Sequence, residues 1–209
     1  MHRPAPALQR HRFAIGAKPA LMPLAALCLF LAQPLTCWSG SGQVSATTAE
    51  SRAVSVERGV KAAYLYKFLG YVEFPTAALE PGASYVIGVI GADDIATELA
   101  RIAVGRNINN HPVAVRVLRA GDPVVGVHLL FAGEAESTAT VSSLMRSAQQ
   151  AGALGVTDAA GLRVGSVINF RLIEDRIRFE VSLEAADKSN LKLSSRLLSV
   201  AYVVQKGGS

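Results

Sequence analysis

Asp158 is a candidate for binding a ligand or a partner. It follows the apolar run at residues 154–157 and precedes Ala159, Ala160 and Gly161. Ligands of open α/β sheets collect outside the carboxyl ends of strands. Asp158 is therefore either a ligand group or a turn aspartate that bonds its own backbone. Asp93 and Asp94 stand after Gly91 at a second strand-to-helix junction. Free amides at a helix start attract anions, but two aspartates repel phosphate and read more simply as caps. His111 and His128 are isolated, with no second histidine at metal-ligand spacing, so no metal site is expected. The chain has no G-x-x-x-x-G-K-[ST], G-x-S-x-G or H-E-x-x-H motif. No cofactor is implied. A non-enzymatic protein is the reading, with a hydrolase triad assembled in space as an alternative.

A second polar group lies near the carboxyl terminus. Ile168, Phe170 and Leu172 alternate with Asn169 and Arg171. After Glu174 and Asp175 the alternation resumes, with Ile177, Phe179, Val181 and Leu183 against Arg176, Arg178, Glu180 and Ser182. Two period-2 runs across a short acidic turn predict a β-hairpin with one buried face. Asn169, Arg171, Arg178 and Glu180 then form an exposed strip, either a solvated face or a recognition surface. Lys192, Ser194 and Arg196 lie just beyond, at the start of a final helix whose apolar face is Leu193, Leu197, Val200 and Val204.

The elements that must position these groups follow from periodicity. Val60, Tyr64, Phe68 and Tyr71 recur at helical spacing over residues 56–72, with Glu57, Lys61 and Lys67 off that face. The stripe faces a core or, with Tyr66, a partner. Strands are expected at residues 85–90, 113–118, 127–132 and 154–157, with helices over 93–104 and 137–150. Short Val- and Leu-rich strands separated by helices predict a single α/β domain. Its sheet is mixed and mostly parallel, flanked by helices, with a carboxy-terminal antiparallel hairpin and a final helix.

The formal net charge of +5 overstates the basicity of this domain. Arg3, Arg10, Arg12 and Lys18 lie in a stretch without acids; beyond it 17 basic residues face 16 acidic ones. No nucleic-acid footprint is expected. A basic start, an apolar core over residues 21–31 and small polar residues after it predict a secretory signal peptide. An uncleaved anchor is the rival, disfavoured by Pro23, Pro34 and the short apolar run. The expected organisation is a signal peptide over residues 1–46, a linker over 47–55, the domain over 56–205 and a disordered tail over 206–209. Cys28 and Cys37, the only cysteines, both fall in the leader. The exported domain then has no disulfide, thiolate nucleophile or cysteine metal site.

The run RIRFEVSLEAADKSNLKLSSRLL at residues 176–198 resembles the end of the YfiR family of exported bacterial proteins. KAAYLYKFLGYVEFP at residues 61–75 is a second matching block. GADDIATEL, VHLLFAGE and VTDAAG fit between them in order. The resemblance implies a periplasmic homodimer that binds the periplasmic domain of an inner-membrane diguanylate cyclase and represses cyclic di-GMP synthesis. An outer-membrane lipoprotein is a further partner it implies. It assigns partner contact and a small-ligand pocket to the strand around Glu180 and to the loop and helix start after it, where Lys192, Ser194 and Arg196 lie; Asp158, placed by its strand end, is expected to join them as a ligand residue. Ser194 stands where some relatives have histidine. A periplasmic small-ligand-binding module serving another membrane signalling protein is the alternative.

Overall fold

Six strands are four to seven residues long, and side chains on their two faces meet different helices. In the computed structural model, residues 43–75, 82–159, 161 and 165–207 are described. Helix α1 spans Gln43–Phe68 and continues into a 3-10 turn at Leu69–Tyr71. It begins ahead of the expected start and runs through the residues read as linker, a stretch with neither proline nor glycine. Then come β1 (Val72–Glu73), β2 (Tyr85–Ile90), α2 (Asp93–Ala103), β3 (Asn107–Ile108), β4 (His111–Val117), β5 (Leu129–Ala132), α3 (Thr138–Gln150) and β6 (Leu154–Asp158). The chain closes with β7 (Ile168–Ile173), β8 (Arg176–Ser182), α4 (Leu183–Lys188), β9 (Lys192–Leu193), α5 (Ser195–Val200) and β10 (Val203–Gln205).

The main sheet has eight strands in the order β10-β8-β7-β6-β5-β2-β4-β3. Its pairs are parallel except β7–β8 and β3–β4. This is the mixed, mostly parallel sheet that the Val- and Leu-rich strands predict. Leu129 and Phe131 of β5 pack with α1 and α2, whereas Leu130 and Ala132 pack with α3. Helices therefore cover both faces, which is what lets β5 be apolar at every position. At the ends of β2 and β5 the chain comes so close that a Cβ on Gly133 would lie 2.5 Å from the Gly91 carbonyl oxygen. Only glycine fits there.

Three local expectations are corrected. The buried stripe of α1 is Lys61, Ala62, Leu65 and Phe68, continuing to Leu69 in the turn, while Val60 and Tyr71 are exposed. The true stripe keeps helical spacing one position round from Val60 and Tyr64, and Tyr71 lies in the 3-10 turn beyond the helix. The final helix stops at Val200, and Val203–Gln205 pairs with β8 instead. Its β-branched pair Val203-Val204 suits a strand edge better than a helix. Asp93 and Asp94 are not the caps of α2; Ala92 holds that position and both aspartates lie in the first turn. There they favour the helix dipole. The Arg119 guanidinium, hydrogen-bonded to Asp93 at 2.9 and 3.0 Å, holds its carboxyl below the usual range.

The hairpin turn forms as its sequence predicts. Glu174 and Asp175 have φ of 49° and 57°, the left-handed pair that a two-residue hairpin loop requires. Phe170 faces Phe179 across the pair, and both are buried against α1. Phe170→Ala should lower unfolding free energy by about 3–5 kcal/mol, read from urea titration followed by circular dichroism; a loss below about 1 kcal/mol would contradict this packing.

Candidate functional site

The two blocks at residues 61–75 and 176–198 meet in space. Phe68 of α1 lies between the hairpin rings, 5.9 Å from Phe170 and 5.2 Å edge-on from Phe179. Tyr64, one turn earlier, is 5.8 Å from Phe68 and 5.6 Å from Phe179. The two blocks are also joined through the backbone. β1 pairs antiparallel with β9, setting Glu73 opposite Lys192, and the Ser194 amide donates to the Tyr71 carbonyl at 2.9 Å. Ser194 Oγ accepts from the Leu197 amide at 3.3 Å and so caps α5.

These ties leave an open groove of about 370 Å3 between the end of α1 and α5. Tyr64, Phe68 and Phe179 make its floor, and Tyr71 and Val200 its apolar walls. Lys67 and Arg196 stand at its rim, and neither has an ion-pair partner among the described residues. An aromatic floor with unpaired cations beside it suits an apolar or aromatic group that carries a carboxylate.

The expected exposed strip on the hairpin is partly interior. Glu180 is only 9% exposed and accepts from Arg171 Nη1 at 3.1 Å. Asn169 is fully buried. Its Oδ1 accepts from Thr157 Oγ1 at 2.9 Å and from the Ala159 amide at 3.2 Å, and its Nδ2 donates to the Ala159 carbonyl at 3.2 Å. Asn169 thus clamps the chain leaving β6. Arg178 is exposed and sits opposite Arg171 in register. Leu172, expected in the core, is 58% exposed and lines an open groove between the hairpin tip and the earlier turns of α1, with Val56 and Val60 among the other lining residues. Alternation told the faces apart but not how closely the helix packs on them.

Asp158 has a partner that periodicity placed elsewhere. Lys61, expected off the buried face, is 7% exposed and ion-paired with both Asp158 and Glu57. Burial alone would lower the Lys61 pKa; the hydrogen bonds and charges of Asp158 and Glu57 outweigh it, and the pKa lies above the usual value. The expected ligand set is also divided. Arg196 lines the α1–α5 groove, whereas Asp158 lines a cleft of about 140 Å3 at the ends of β5 and β6. Lys192 is exposed on β9. Tyr66 donates to the Asn107 carbonyl at 3.3 Å, beside β3. His111 Nδ1 is 2.8 Å from the Ala83 carbonyl, and His128 Nδ1 accepts from the Val86 amide at 3.1 Å. Lys67, Tyr64 and Tyr71 were missed as groove residues; the signal for them was the cluster of five aromatics between Tyr64 and Phe74.

Among the described residues no helix is long and apolar enough to cross a membrane, and no group of three His, Cys, Asp or Glu side chains could hold a metal ion. A protein-family model described as YfiR/HmsC-like matches residues 58–202, more than half of the chain. No curated protein matches it.

Removing one member of a buried pair leaves the other uncompensated. Asp158→Ala should cost about 3 kcal/mol in urea unfolding, at the low end of that range because Glu57 still holds Lys61. The raised Lys61 pKa makes a further prediction. Its contribution is fully present below the ordinary lysine value and is lost as pH rises through the folded value. Stability should therefore fall more steeply above about pH 10.5 in the wild type than in Lys61→Met; parallel profiles would refute the linkage.

Proposed function

The chain belongs to the YfiR/HmsC-like family, and on that premise we propose that it is an exported, non-enzymatic regulator of a membrane signalling enzyme. It binds the periplasmic sensor domain of an inner-membrane diguanylate cyclase, holds the cyclase inactive and so represses cyclic di-GMP synthesis. Residues 1–46 carry it across the inner membrane and are removed.

The observation that carries this reading is the α1–α5 groove, built where the two family-resembling blocks meet. Exposed aromatic and arginine side chains around a concave surface are the usual anchors of a protein interface. Repression requires preference rather than mere affinity, since a partner that binds both cyclase states equally shifts nothing. Taking an evenly poised cyclase to about 1% active needs roughly 2.7 kcal/mol of preference, a hundredfold affinity ratio. A few anchors of this kind supply that much. Of the strip assigned to partner contact, Arg178 is the member that stays exposed, and Arg171 is partly so. Glu180 and Asn169 support the hairpin from within.

The groove also supports the second reading. Its volume and chemistry match a site for a small aromatic carboxylate, which would tune the same contact.

Arg196→Glu tests the first reading, because Arg196 is exposed and its reversal leaves the core untouched. Expected is a rise in cellular cyclic di-GMP at normal protein level and normal melting temperature, with cyclase binding weakened about tenfold or more. Unchanged second-messenger levels would count against it. For the second reading, aromatic amino acids should raise the melting temperature of the wild type and not of Arg196→Glu; no shift in the wild type would dismiss it.

A further inference from the structure

β7 and β8 set two arginines side by side. Arg171 and Arg178 are direct partners in the antiparallel register, so their side chains leave the same face of the hairpin. The Ser182 amide donates to the Val167 carbonyl, whereas the Phe179 carbonyl accepts from the Tyr202 amide. Even-numbered residues of β8 therefore bond β7, which makes Arg171 and Arg178 a hydrogen-bonded pair with Cα atoms about 5.5 Å apart. Like charges directly opposite each other destabilise a strand pair. Glu180 offsets only part of this, since it meets Arg171 through Nη1 and Arg178 has no ion-pair partner among the described residues. The acids of the turn, Glu174 and Asp175, are three residues along the strands from either arginine, about 10 Å and a full Debye length away.

The pair is supported from within. Glu180 is buried and takes one nitrogen of Arg171, leaving the other donors of that guanidinium free. Asn169, its partner in register, is fixed by Thr157 and Ala159. Arg171 is thus oriented before anything binds, and little side-chain freedom is lost on contact. The rows on either side along this face are partly apolar. Ile173 faces Arg176 in one, and Val203 of β10, 38% exposed, lies beside Glu180 in the other. Each is about 7 Å from the arginine row. Two planar guanidiniums side by side match the oxygens of a carboxylate. Aliphatic groups on both flanks match a chain that sets its acid between apolar side chains.

We propose that the outer face of the hairpin docks an acidic segment of a protein partner, with a carboxylate bridging Arg171 and Arg178 and aliphatic neighbours covering Ile173 and Val203. The inference rests on the proposed binding role and adds the chemistry of the surface that is bound. The repulsion between the two arginines is present in the free protein, and a bound carboxylate removes it, so the site selects an anion before shape is considered. A two-strand face encloses nothing. A small anion would gain the guanidiniums alone, whereas a protein segment gains the flanking rows as well. Glu180 is a positioning residue here: it holds Arg171 in place and does not itself meet the partner. The face is separate from the α1–α5 groove, because Phe179, which lines that groove, points to the other side of β8.

Fluorescence anisotropy of the exported protein with a labelled peptide alternating glutamate and leucine tests it, beside a lysine–leucine peptide. Expected is saturable binding of the acidic peptide alone, weakened by added salt. Arg178→Gln should reduce it about tenfold or more, with a melting temperature unchanged or raised because the repulsion is gone. Arg178→Lys should recover only part of the affinity, since a point charge does not grip two oxygens. Equal binding by wild type and Arg178→Gln would overturn the proposal. So would displacement of the peptide by an equal concentration of inorganic phosphate, or by phosphatidylglycerol vesicles, which would mark a general anion site. The cyclase reading is judged apart from this. If the peptide binds through Arg178 and the periplasmic domain of the cyclase does not bind at all, that reading alone falls. If that domain binds and Arg178→Gln changes neither assay, only the present inference falls.

Discussion

The position of α1 across the hairpin is the constraint on which the rest of the structure depends. Phe68 touches rings from both β7 and β8, stacked on Phe170 and edge-on to Phe179. Those offset and edge-on arrangements add to the area the rings bury. Beside this contact Tyr64 and Tyr71 line the groove facing α5. The groove is therefore the exposed margin of the core itself. Its shape follows from packing, and its floor does not reorganise independently of the fold.

Polar groups set the register of that packing. Lys61 sits about two helical turns before Phe68 and is held by Asp158 at the end of β6. A buried ion pair adds little net stability over a hydrophobic pair of the same size, but a mismatched one is costly. Its effect is to disfavour any rotation of α1 that would move Lys61 away from its carboxylates. The Asn169 clamp acts similarly on the chain after β6, with Thr157, Ser166 and Ala159 satisfied together. No buried side-chain nitrogen or oxygen among the described residues lacks a hydrogen-bond partner. A closed network of this kind specifies one arrangement, because each broken member strands another.

The two surfaces with open valence lie on opposite faces of the hairpin. The α1–α5 groove offers aromatic area and two unpaired cations. The outer face offers a pair of guanidiniums between aliphatic side chains. The first chemistry suits an apolar or aromatic group that carries an acid; the second suits an acidic segment laid across the strands.

Local order was legible because it depends on neighbours in the chain. Strand β2 and helix α3 come within a residue of expectation, and the Glu174-Asp175 turn has the backbone its residue types predict. The two family-like blocks were readable from residue order. Burial was not, because it depends on which element lies over which face and how far its cover extends. An alternating strand marks Asn169 and Glu180 as off the apolar face, yet the sheet has helices and loops on both sides and buries them. A lysine between Val60 and Ala62 reads as solvated until Asp158, almost a hundred positions away, is brought beside it. The sequence alone determined the longer strands and helices, their α/β order and the family resemblance; tertiary structure decided the short strands, which charges were interior, and which residues from the two ends of the domain would share one groove, since only packing relates positions so far apart.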